Sequence, residues 1–234
     1  MITIIPSEKR FHADFGWLQT RWHFSFGDYF DPRNVNWSSL RVFNDDVIQG
    51  GGGFDLHPHK NMEIVTYVLD GALAHQDSVG NRGVIHPGEV QVMSAGKGIF
   101  HAEHNASADK PLRLLQLWIE PKHAGNTPRW EQKQFTADQR AGRLLPVVSG
   151  AGGGNIPGTL AIDQDAAIYV SSLGPKDSVK HDVAGTHAYL FVTSGEVTVN
   201  GQTLHNGDQA RIAGEKALEI KAISTAELIL LDLP

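Results

Sequence analysis

The sequence predicts an all-β protein in which one chain forms two β-barrel or jelly-roll domains. Three observations predict this class. Short runs of alternating apolar and polar residues are separated by Gly, Pro, Asn and Asp, long helical periodicity is nearly absent, and the two halves of the chain share a local pattern. Short strands at regular spacing are typical of β-sandwiches and β-barrels.

Five segments have the alternation and the flanking turn residues of β-strands. They are EIVTYVLDG (63–71), GEVQVMSAG (88–96), LRLLQLWIEP (112–121), AYLFVTSGEVTVNG (188–201) and LEIKAISTAELILLDLP (218–234). One short helix is predicted within QFTADQRAG (134–142). The predicted secondary structure is therefore almost entirely strand.

The middle of the chain predicts the boundary between two domains. Residues 121–158 contain four prolines and the glycine-rich run SGAGGGN (149–155), a composition typical of a linker or crossover. We expect an N-terminal domain at 1–121, a crossover at 122–158 and a C-terminal domain at 159–234.

The two predicted domains share a short pattern. The segment HPGEVQVMSAG (86–96) resembles HNGDQARIAG (205–214), and VLDG ending at Gly71 resembles VTSG ending at Gly195. Each half therefore has a strand, a glycine, a second strand and a His-x-Gly-acid turn in the same order. A duplicated β-barrel explains this repetition.

Composition limits the classes of partner. The 234 residues are 41% hydrophobic and 20% charged, which suits a globular protein that buries a core. The net charge of −6 and the lack of Lys or Arg runs argue against a nucleic-acid partner, because phosphate binding needs clustered cations. The N-terminal apolar run is too short for a signal peptide, and no segment approaches the ~20 apolar residues of a membrane span. We therefore expect a cytoplasmic protein with no membrane partner.

The first candidate site is the pair His57 and His59 in DLHPHKNMEIVTYV. Residues i and i+2 of a strand project from the same face, so both imidazoles could reach one ion. Pro58 cannot donate a ladder hydrogen bond and therefore fits a strand edge or the start of a strand. Glu63 has the same parity as the two histidines. A single His-x-His pair is also common at protein surfaces, so the prediction of a metal site needs support from a second cluster of ligands.

The second cluster is His101 and Glu103, which again share a face and follow the glycines at 96 and 98. If the two strands meet inside a barrel, the pairs offer three imidazoles and one carboxylate to one divalent ion. Because the chain has no cysteine, any metal must use nitrogen and oxygen ligands, which suits iron, copper, nickel, manganese or zinc. Spacing alone does not choose between Glu63 and Glu103 as the carboxylate.

The remaining histidines have weaker patterns. His104 has the opposite parity to His101 and is expected to point away from it, while His86 and His205 lie in predicted turns. No partner pattern is found for His12, His23, His75 and His123.

The second half of the chain retains little of the candidate site. His181 stands at the position equivalent to His57, but Val183 follows in place of the second histidine. Glu219 and Lys221 replace the second pair. We therefore expect the C-terminal domain to bind no metal.

These motifs resemble the cupin superfamily, whose first motif is a glycine, five residues, His-x-His, three or four residues and a glutamate. Gly51, His57, His59 and Glu63 match it, and His101 belongs to the second motif. The resemblance narrows to the pirin family in HFSFGDYFDP (23–32), LRVFNDDVI (40–48), HPHKNMEIVTYVLDG (57–71), HQDSVGNRGVIHPGEVQVMSAGKGIFHAEHN (75–105) and LQLWIEP (115–121). The second half resembles the C-terminal domain of bacterial pirins, which implies an all-β bicupin fold.

The resemblance implies a ligand set. Pirins hold their metal with both histidines of His-x-His and with the His and Glu of His-x-Glu, here His57, His59, His101 and Glu103. Other cupins use the glutamate of the first motif, so Glu63 stays as the alternative ligand or base, and Glu103 is also a candidate base. We expect one divalent transition metal per chain and no other cofactor. Iron is preferred, with copper, nickel, manganese and zinc as alternatives.

The resemblance also implies a function. Bacterial pirins of the bicupin form are associated with quercetin 2,3-dioxygenase activity, which opens the central ring of a flavonol with O₂. The expected partners are then a flavonol and O₂. The alternative is a metal-bearing regulatory protein that binds other proteins, as mammalian pirins are described. A sugar- or small-acid-handling cupin is a third class, and the pirin motifs count against it.

Overall fold

The computed structural model describes residues 1–150, 153 and 155–234, so part of the glycine-rich run at 149–155 lies outside the described residues. The chain divides into two compact units. The N-terminal unit is Phe11–Gln134, and the C-terminal unit combines Met1–Arg10 with Phe135–Pro234. Among the described residues, no helix is long and apolar enough to cross a membrane.

The all-β prediction is confirmed, since the regular structure of the described residues is almost entirely strand. The C-terminal unit begins with β1 (Ile2–Ile5) and a 3-10 turn (Ser7–Lys9). The strands of the N-terminal unit are β2 (Phe11–Asp14), β3 (Leu18–Trp22), β4 (Leu40–Ile48), β5 (Gly53–His59), β6 (Glu63–Asp70), β7 (Leu73–Asp77), β8 (Arg82–Ile85), β9 (Glu89–Ser94), β10 (Ile99–Asn105), β11 (Leu112–Ile119) and β12 (Arg129–Gln134).

The rest of the C-terminal unit contains one helical turn and further strands. They are α1 (Ala137–Arg140), β13 (Leu145–Ser149), β14 (Leu160–Ala161), β15 (Ala167–Leu173), β16 (Ser178–Asp182), β17 (His187–Ser194), β18 (Val197–Val199), β19 (Gln202–Leu204), β20 (Gln209–Ala213), β21 (Ala217–Ala222) and β22 (Ala226–Leu233). The helix lies inside the segment predicted for it. Thr136 and Gln139 form a capping box at its start, which satisfies two backbone N–H groups of so short a helix.

Each unit contains a seven-stranded and a four-stranded sheet among its described residues. In the N-terminal unit the strand orders are β12-β9-β6-β11-β4-β3-β2 and β5-β10-β7-β8. In the C-terminal unit they are β1-β20-β17-β22-β15-β13-β14 and β16-β21-β18-β19. The strand β16 therefore holds the place in its sheet that β5 holds, and β21 matches β10. This correspondence has the form that the repeated sequence pattern predicts.

The core of the N-terminal unit follows from the two-residue period of its strands. Along β3, buried and exposed residues alternate, with Leu18 buried and Gln19 exposed, as in a strand with one solvent-exposed face. Most of β6 is buried on both faces, and Ile64 and Val68 belong to two apolar clusters. Burying one such side chain fully is worth about 1.5–3 kcal/mol relative to leaving it in water.

The compact units differ from the predicted domain boundaries in two places. Residues 122–158 were predicted as a crossover, yet β12 lies there and pairs along its length with β9, so it belongs to the N-terminal unit. Residues 1–10 were assigned to the N-terminal domain, but β1 pairs with β20 in the C-terminal unit. Both differences come from strand pairing between distant segments, which local composition does not encode.

Candidate metal centre and its pocket

Three histidines converge on the edge strand β5 and its neighbour β10 in the four-stranded sheet of the N-terminal unit. In the antiparallel pair β5–β10, His101 lies opposite His57, and His59 lies opposite Ile99. The ring centroids are 4.8 Å apart for His57 and His59, 4.4 Å for His57 and His101, and 4.8 Å for His59 and His101. Their ring nitrogens are close enough for one ion to contact all three. The structure therefore brings together the two motifs that the sequence places 44 residues apart.

Glu103 lies beside this cluster because it stands two residues from His101 on β10, and residues i and i+2 of a strand share a face. The register with β5 shifts between His101 and Glu103, so Glu103 lies opposite Phe54. The extra residue is on β5, because three steps from His57 to Phe54 match two from His101 to Glu103, and such a bulge re-aims the side chains of β5. Glu103 is 2% exposed and, with His101, lines the same cavity as the other two histidines.

A network of amides holds the Glu103 carboxylate. The Gln91 amide donates to Oε1 at 2.9 Å, and the Gln116 amide donates to Oε2 at 2.8 Å. Trp130 donates to the Gln91 oxygen at 2.7 Å, and Thr66 donates to the Gln116 oxygen at 2.9 Å. Because each amide oxygen already accepts a hydrogen bond, each amide nitrogen must face Glu103. The network therefore fixes both the position and the charge of this carboxylate.

The ionisation states at the centre suit metal ligands. Burial would raise the pKa of Glu103, but interactions with His75, then His101 and Gln91, outweigh it and lower the pKa to about 2. Burial, followed by repulsion from neighbouring histidines, lowers the pKa of His59 to about 4. Burial also lowers the pKa of His101 to about 4, against the attraction of Glu103. Metals bind neutral imidazoles and charged carboxylates, which are the forms favoured here at neutral pH.

The tautomer of His57 follows from its backbone contact. Its Nδ1 lies 2.7 Å from the carbonyl oxygen of Asp55. A carbonyl only accepts, so the Nδ1–H of a neutral His57 is the donor and Nε2 carries the lone pair. Metal-ligating histidines commonly use such a contact to orient the ring.

The residues present fit a divalent transition metal. Among the described residues, neither ring nitrogen of His101 has a hydrogen-bond partner, although the side chain is 1% exposed. Buried polar atoms are nearly always satisfied, so the orphaned nitrogens indicate a partner that the protein chain does not supply. Imidazole and carboxylate donors without sulfur suit iron, nickel, copper, manganese or zinc.

His75 is a site residue that the sequence analysis missed. It is 3% exposed and lies opposite Glu103 in the β7–β10 pair. Its Nδ1 is 3.9 Å from Glu103 Oε1, its Nε2 is 3.6 Å from Asp77 Oδ2, and its ring stacks on Trp130 at 5.4 Å. With His101 and Glu103 it forms a second group that could hold a metal. The i, i+2 pair of His75 and Asp77 was the sequence signal available for it.

The structure does not bring Glu63 to the histidines. Glu63 Oε2 accepts a hydrogen bond from Ser94 at 2.6 Å and lies 3.7 Å from an Arg129 nitrogen. Its neighbour Ile64 lines the cavity instead. The parity argument fails because a turn separates β5 from β6, and side-chain alternation does not carry across a turn. The alternative role of Glu63 as ligand or base therefore lacks the required geometry.

Two other predicted positions have local partners. His104 lies 3.3 Å from Asp55 and does not line the cavity. In the C-terminal unit, His181 forms a buried contact with Asp232 at 2.9 Å, and Leu218 lies opposite His181 on β21. The lack of a metal in the C-terminal domain stays a prediction.

The candidate metal centre opens into a cavity of about 380 Å³. This volume is in the range of small-molecule sites, which are typically apolar with a few placed polar groups. The cavity walls are aromatic and include Phe15, Trp17, Trp22, Phe26, Phe54 and Trp118. Its other polar groups are Asp28, Asn44, Asp46 and Gln116. A planar aromatic molecule would match these walls better than a polar or branched one.

Comparison with known proteins agrees with this architecture. A family model described as Pirin matches residues 6–119, and one described as Quercetinase C-terminal cupin domain matches residues 147–233. A protein of Escherichia coli (strain K12) named quercetin 2,3-dioxygenase is 44% identical, with 100% of this chain and 99% of the relative covered. A pirin-like protein of Caulobacter vibrioides is 43% identical, with 99% of each chain covered.

Solved structures agree as well. The bacterial pirin YhhW of Escherichia coli in complex with nickel(II) has a TM-score of 0.93 and 42% identity, and the match covers 100% of this chain and 99% of that one. The bicupin fold expected from the sequence is therefore confirmed. On its sequence and on its structure, the chain belongs to the pirin family.

Proposed function

We propose that this protein is a metal-dependent dioxygenase that opens the central ring of flavonols such as quercetin with O₂. The observation that carries the proposal is the cluster of His57, His59 and His101, with Glu103 next to His101, at the wall of an aromatic cavity. The E. coli relative is named quercetin 2,3-dioxygenase, which supports the same reaction. The products would be a depside and carbon monoxide, which together account for every atom of the flavonol and of O₂.

The metal ligands in this proposal are His57, His59, His101 and Glu103, which hold one divalent ion per chain. The nickel(II) complex of the related E. coli pirin supports an ion of this class. Iron, copper, manganese and zinc accept the same donors, so each needs to be compared with nickel in the assay.

In this proposal the residues of the chain bind and orient the flavonol and keep the carboxylate ligand charged. The aromatic walls would contact both faces of the flavonol rings, and their apolar surface would exclude water. A bound divalent ion would supply a Lewis acid that lowers the pKa of the flavonol 3-hydroxyl group. Gln91 and Gln116 would keep Glu103 charged and aligned. Because both Glu103 oxygens accept amide hydrogen bonds, the ligand role suits it better than the role of proton acceptor.

The experiment that tests the reaction compares quercetin with a flavone that lacks only the 3-hydroxyl group. Oxygen uptake is measured with protein that has been stripped of metal and then loaded with each candidate ion. We expect uptake with quercetin, none with the flavone, and competitive inhibition by the flavone, because its shape still fits the cavity. Equal turnover of both compounds would contradict this mechanism.

The alternative is the metal-bearing regulatory protein that binds other proteins. Exposed apolar side chains such as Phe15, Trp17 and Leu56 lie in or next to the segments that line the cavity, and they would suit a protein contact. The assay decides between the two functions. No turnover of quercetin with any candidate ion fully loaded would favour the regulatory protein.

A further inference from the structure

A second polar group lies in the cavity, on β4. Asp46 is 3% exposed and Asn44 is 4% exposed, and both line the cavity. Residues i and i+2 of a strand share a face, and their side chains stand about 7 Å apart along it. The intervening residue, Asp45, is bound elsewhere by Arg113 in a bidentate ion pair at 3.0 and 3.1 Å.

The cavity-lining pair carries unsatisfied acceptors. Among the residues that the structure describes, Oδ1 of Asp46 and Oδ1 of Asn44 have no hydrogen-bond partner. Thr20 lies opposite Asp46 in the β3–β4 pair, close enough to lower the pKa of Asp46, but it makes no hydrogen bond of ordinary geometry. Buried acceptors are nearly always paired, so two that line a cavity indicate donors brought by a ligand.

The strand register relates this pair to the metal centre. Asn44 lies directly opposite Gln116, the residue whose amide donates to Glu103. Asp46 lies two residues further along β4, opposite Leu114. A polar strip therefore leads from Glu103 through Gln116 and Asn44 to Asp46, within walls that are otherwise largely aromatic. A ligand that reaches both ends must be elongated and must carry polar groups at separate positions.

We propose that Asp46, together with Asn44, forms a hydroxyl-binding subsite that anchors a phenolic hydroxyl group of the ligand remote from the metal centre. The identity of the ligand as a flavonol rests on the proposed function. A neutral hydroxyl donor suits the subsite better than a cation, because burial raises the pKa of Asp46 to about 7 and disfavours its full charge. The B-ring hydroxyls and the 7-hydroxyl of quercetin have the same donor chemistry.

The test is a double-mutant cycle between Asp46 and individual ligand hydroxyls. Dissociation constants are measured on metal-loaded protein from the quenching of tryptophan fluorescence, since Trp17, Trp22 and Trp118 line the cavity. The ligands are quercetin, a flavonol without B-ring hydroxyls and a flavonol without the 7-hydroxyl. Asp46→Leu should weaken quercetin binding about tenfold or more, the usual effect of losing a hydrogen bond to a buried carboxyl. The analogue that lacks the anchored hydroxyl should bind the variant and the wild type equally.

Two further variants keep the test decisive. Asp70→Asn removes an exposed carboxylate from β6 of the same unit, outside the cavity, and should leave every dissociation constant unchanged. Asp46→Asn preserves side-chain size and replaces one acceptor with an amide donor, so it covers the case in which Asp46→Leu does not fold. The preference is measured as the ratio of the dissociation constants of two ligands, quercetin and its derivative in which the anchored hydroxyl is a methyl ether. Asp46→Asn should reduce this preference about tenfold.

The outcomes separate this subsite from the proposed reaction. The subsite would be overturned, even if quercetin is turned over, by two results together. Asp46→Leu would weaken the binding of all three ligands equally or not at all, and Asp46→Asn would leave the hydroxyl preference unchanged. Coupling without any turnover would support the subsite and reject the dioxygenase reaction. A wild-type protein that binds no flavonol when loaded with metal would overturn both.

Discussion

At the scale of single residues, the centre depends on which carboxylate lies next to the histidines. Both Glu63 and Glu103 are buried, but only Glu103 lines the cavity with the three imidazoles. A direct anionic ligand both donates electrons and neutralises the cation, so its loss costs more than the loss of an outer contact. The two glutamates therefore make a matched comparison.

We predict that Glu103→Gln lowers metal affinity by more than about 100-fold, beyond the roughly 10–100-fold effect of an outer partner. Glu63→Gln should change it by less than about tenfold, because that side chain is bonded to Ser94 instead. Competition with a coloured chelator measures both affinities. A larger effect at Glu63 would show that the site follows the ligand set of other cupins.

The buried carboxyl of Asp46 predicts a pH-dependent stability. Burial first, and then repulsion from Asp45 and Glu103, raise its pKa from 3.8 to about 7, against the opposing effect of Thr20. A raised pKa in the folded state means that the protonated form is the stable one there. The contribution of this protonated carboxyl to the free energy of unfolding is fully present below pH 3.8. It is lost as pH rises through about 7, which lowers the free energy of unfolding by up to about 4 kcal/mol.

Asp46→Asn should therefore be more stable than the wild type at pH 8 and nearly equal to it at pH 4. Urea unfolding of the metal-free protein measures this difference. Tryptophan fluorescence reports on the N-terminal unit alone, because all five tryptophans lie within residues 11–134. A stability difference that does not change with pH would contradict the raised pKa.

At the scale of elements, three strands of the large sheet support one residue of the small sheet. Gln91 on β9 and Gln116 on β11 hold Glu103, and Trp130 on β12 orients Gln91. Since β12 was predicted as part of a crossover, the contact between Trp130 and Gln91 could not be predicted from the sequence. The strand therefore has a role in the site and does more than connect two domains.

Gln91→Leu should lower metal affinity about 10–100-fold while the fold is kept, because it removes a donor to Glu103 and leaves the Trp130 N–H unpaired. Gln19→Leu is the matched control, since Gln19 is exposed on β3 of the same unit and bonds to Asp14. Metal affinity is measured by calorimetry. Equal affinities in the Gln91 variant, the Gln19 variant and the wild type would show that the amide network is dispensable.

The strands that could be predicted are those with strong local alternation. Segments 63–71, 88–96 and 112–121 became β6, β9 and β11 nearly as expected. What could not be predicted depends on pairing between distant segments, as with β1 and β20. His75 was missed for the same reason, since it meets Glu103 only through the pairing of β7 with β10. Glu63 was kept as an alternative because of a parity that ends at the turn before β6.

At the scale of the whole molecule, the two units share a strand order but differ in the residues at the equivalent site. On β5 and β10 the facing pair is His57 and His101, whereas on β16 and β21 it is His181 and Leu218. The candidate metal groups found among the described residues lie in the N-terminal unit. The duplicated fold therefore predicts an asymmetric distribution of metal.

We predict one metal ion per chain, lost in the double variant His57→Ala/His59→Ala without loss of the fold. Elemental analysis gives the stoichiometry, and circular dichroism checks that the variant stays folded. His181→Ala is the control and should keep the full metal content, because His181 is paired with Asp232. Two ions per chain, or metal retained in the double variant, would disprove the assignment.

The most direct test of the account is a titration of the metal-free protein with one candidate ion while oxygen uptake with quercetin is recorded. If His57, His59, His101 and Glu103 hold the single ion that the reaction needs, uptake starts from zero, rises linearly and reaches a plateau at one equivalent per chain. The His57→Ala/His59→Ala protein then shows no rise over the same range. Uptake before any metal is added, a plateau at two equivalents, or an equal response in the double variant would contradict the account.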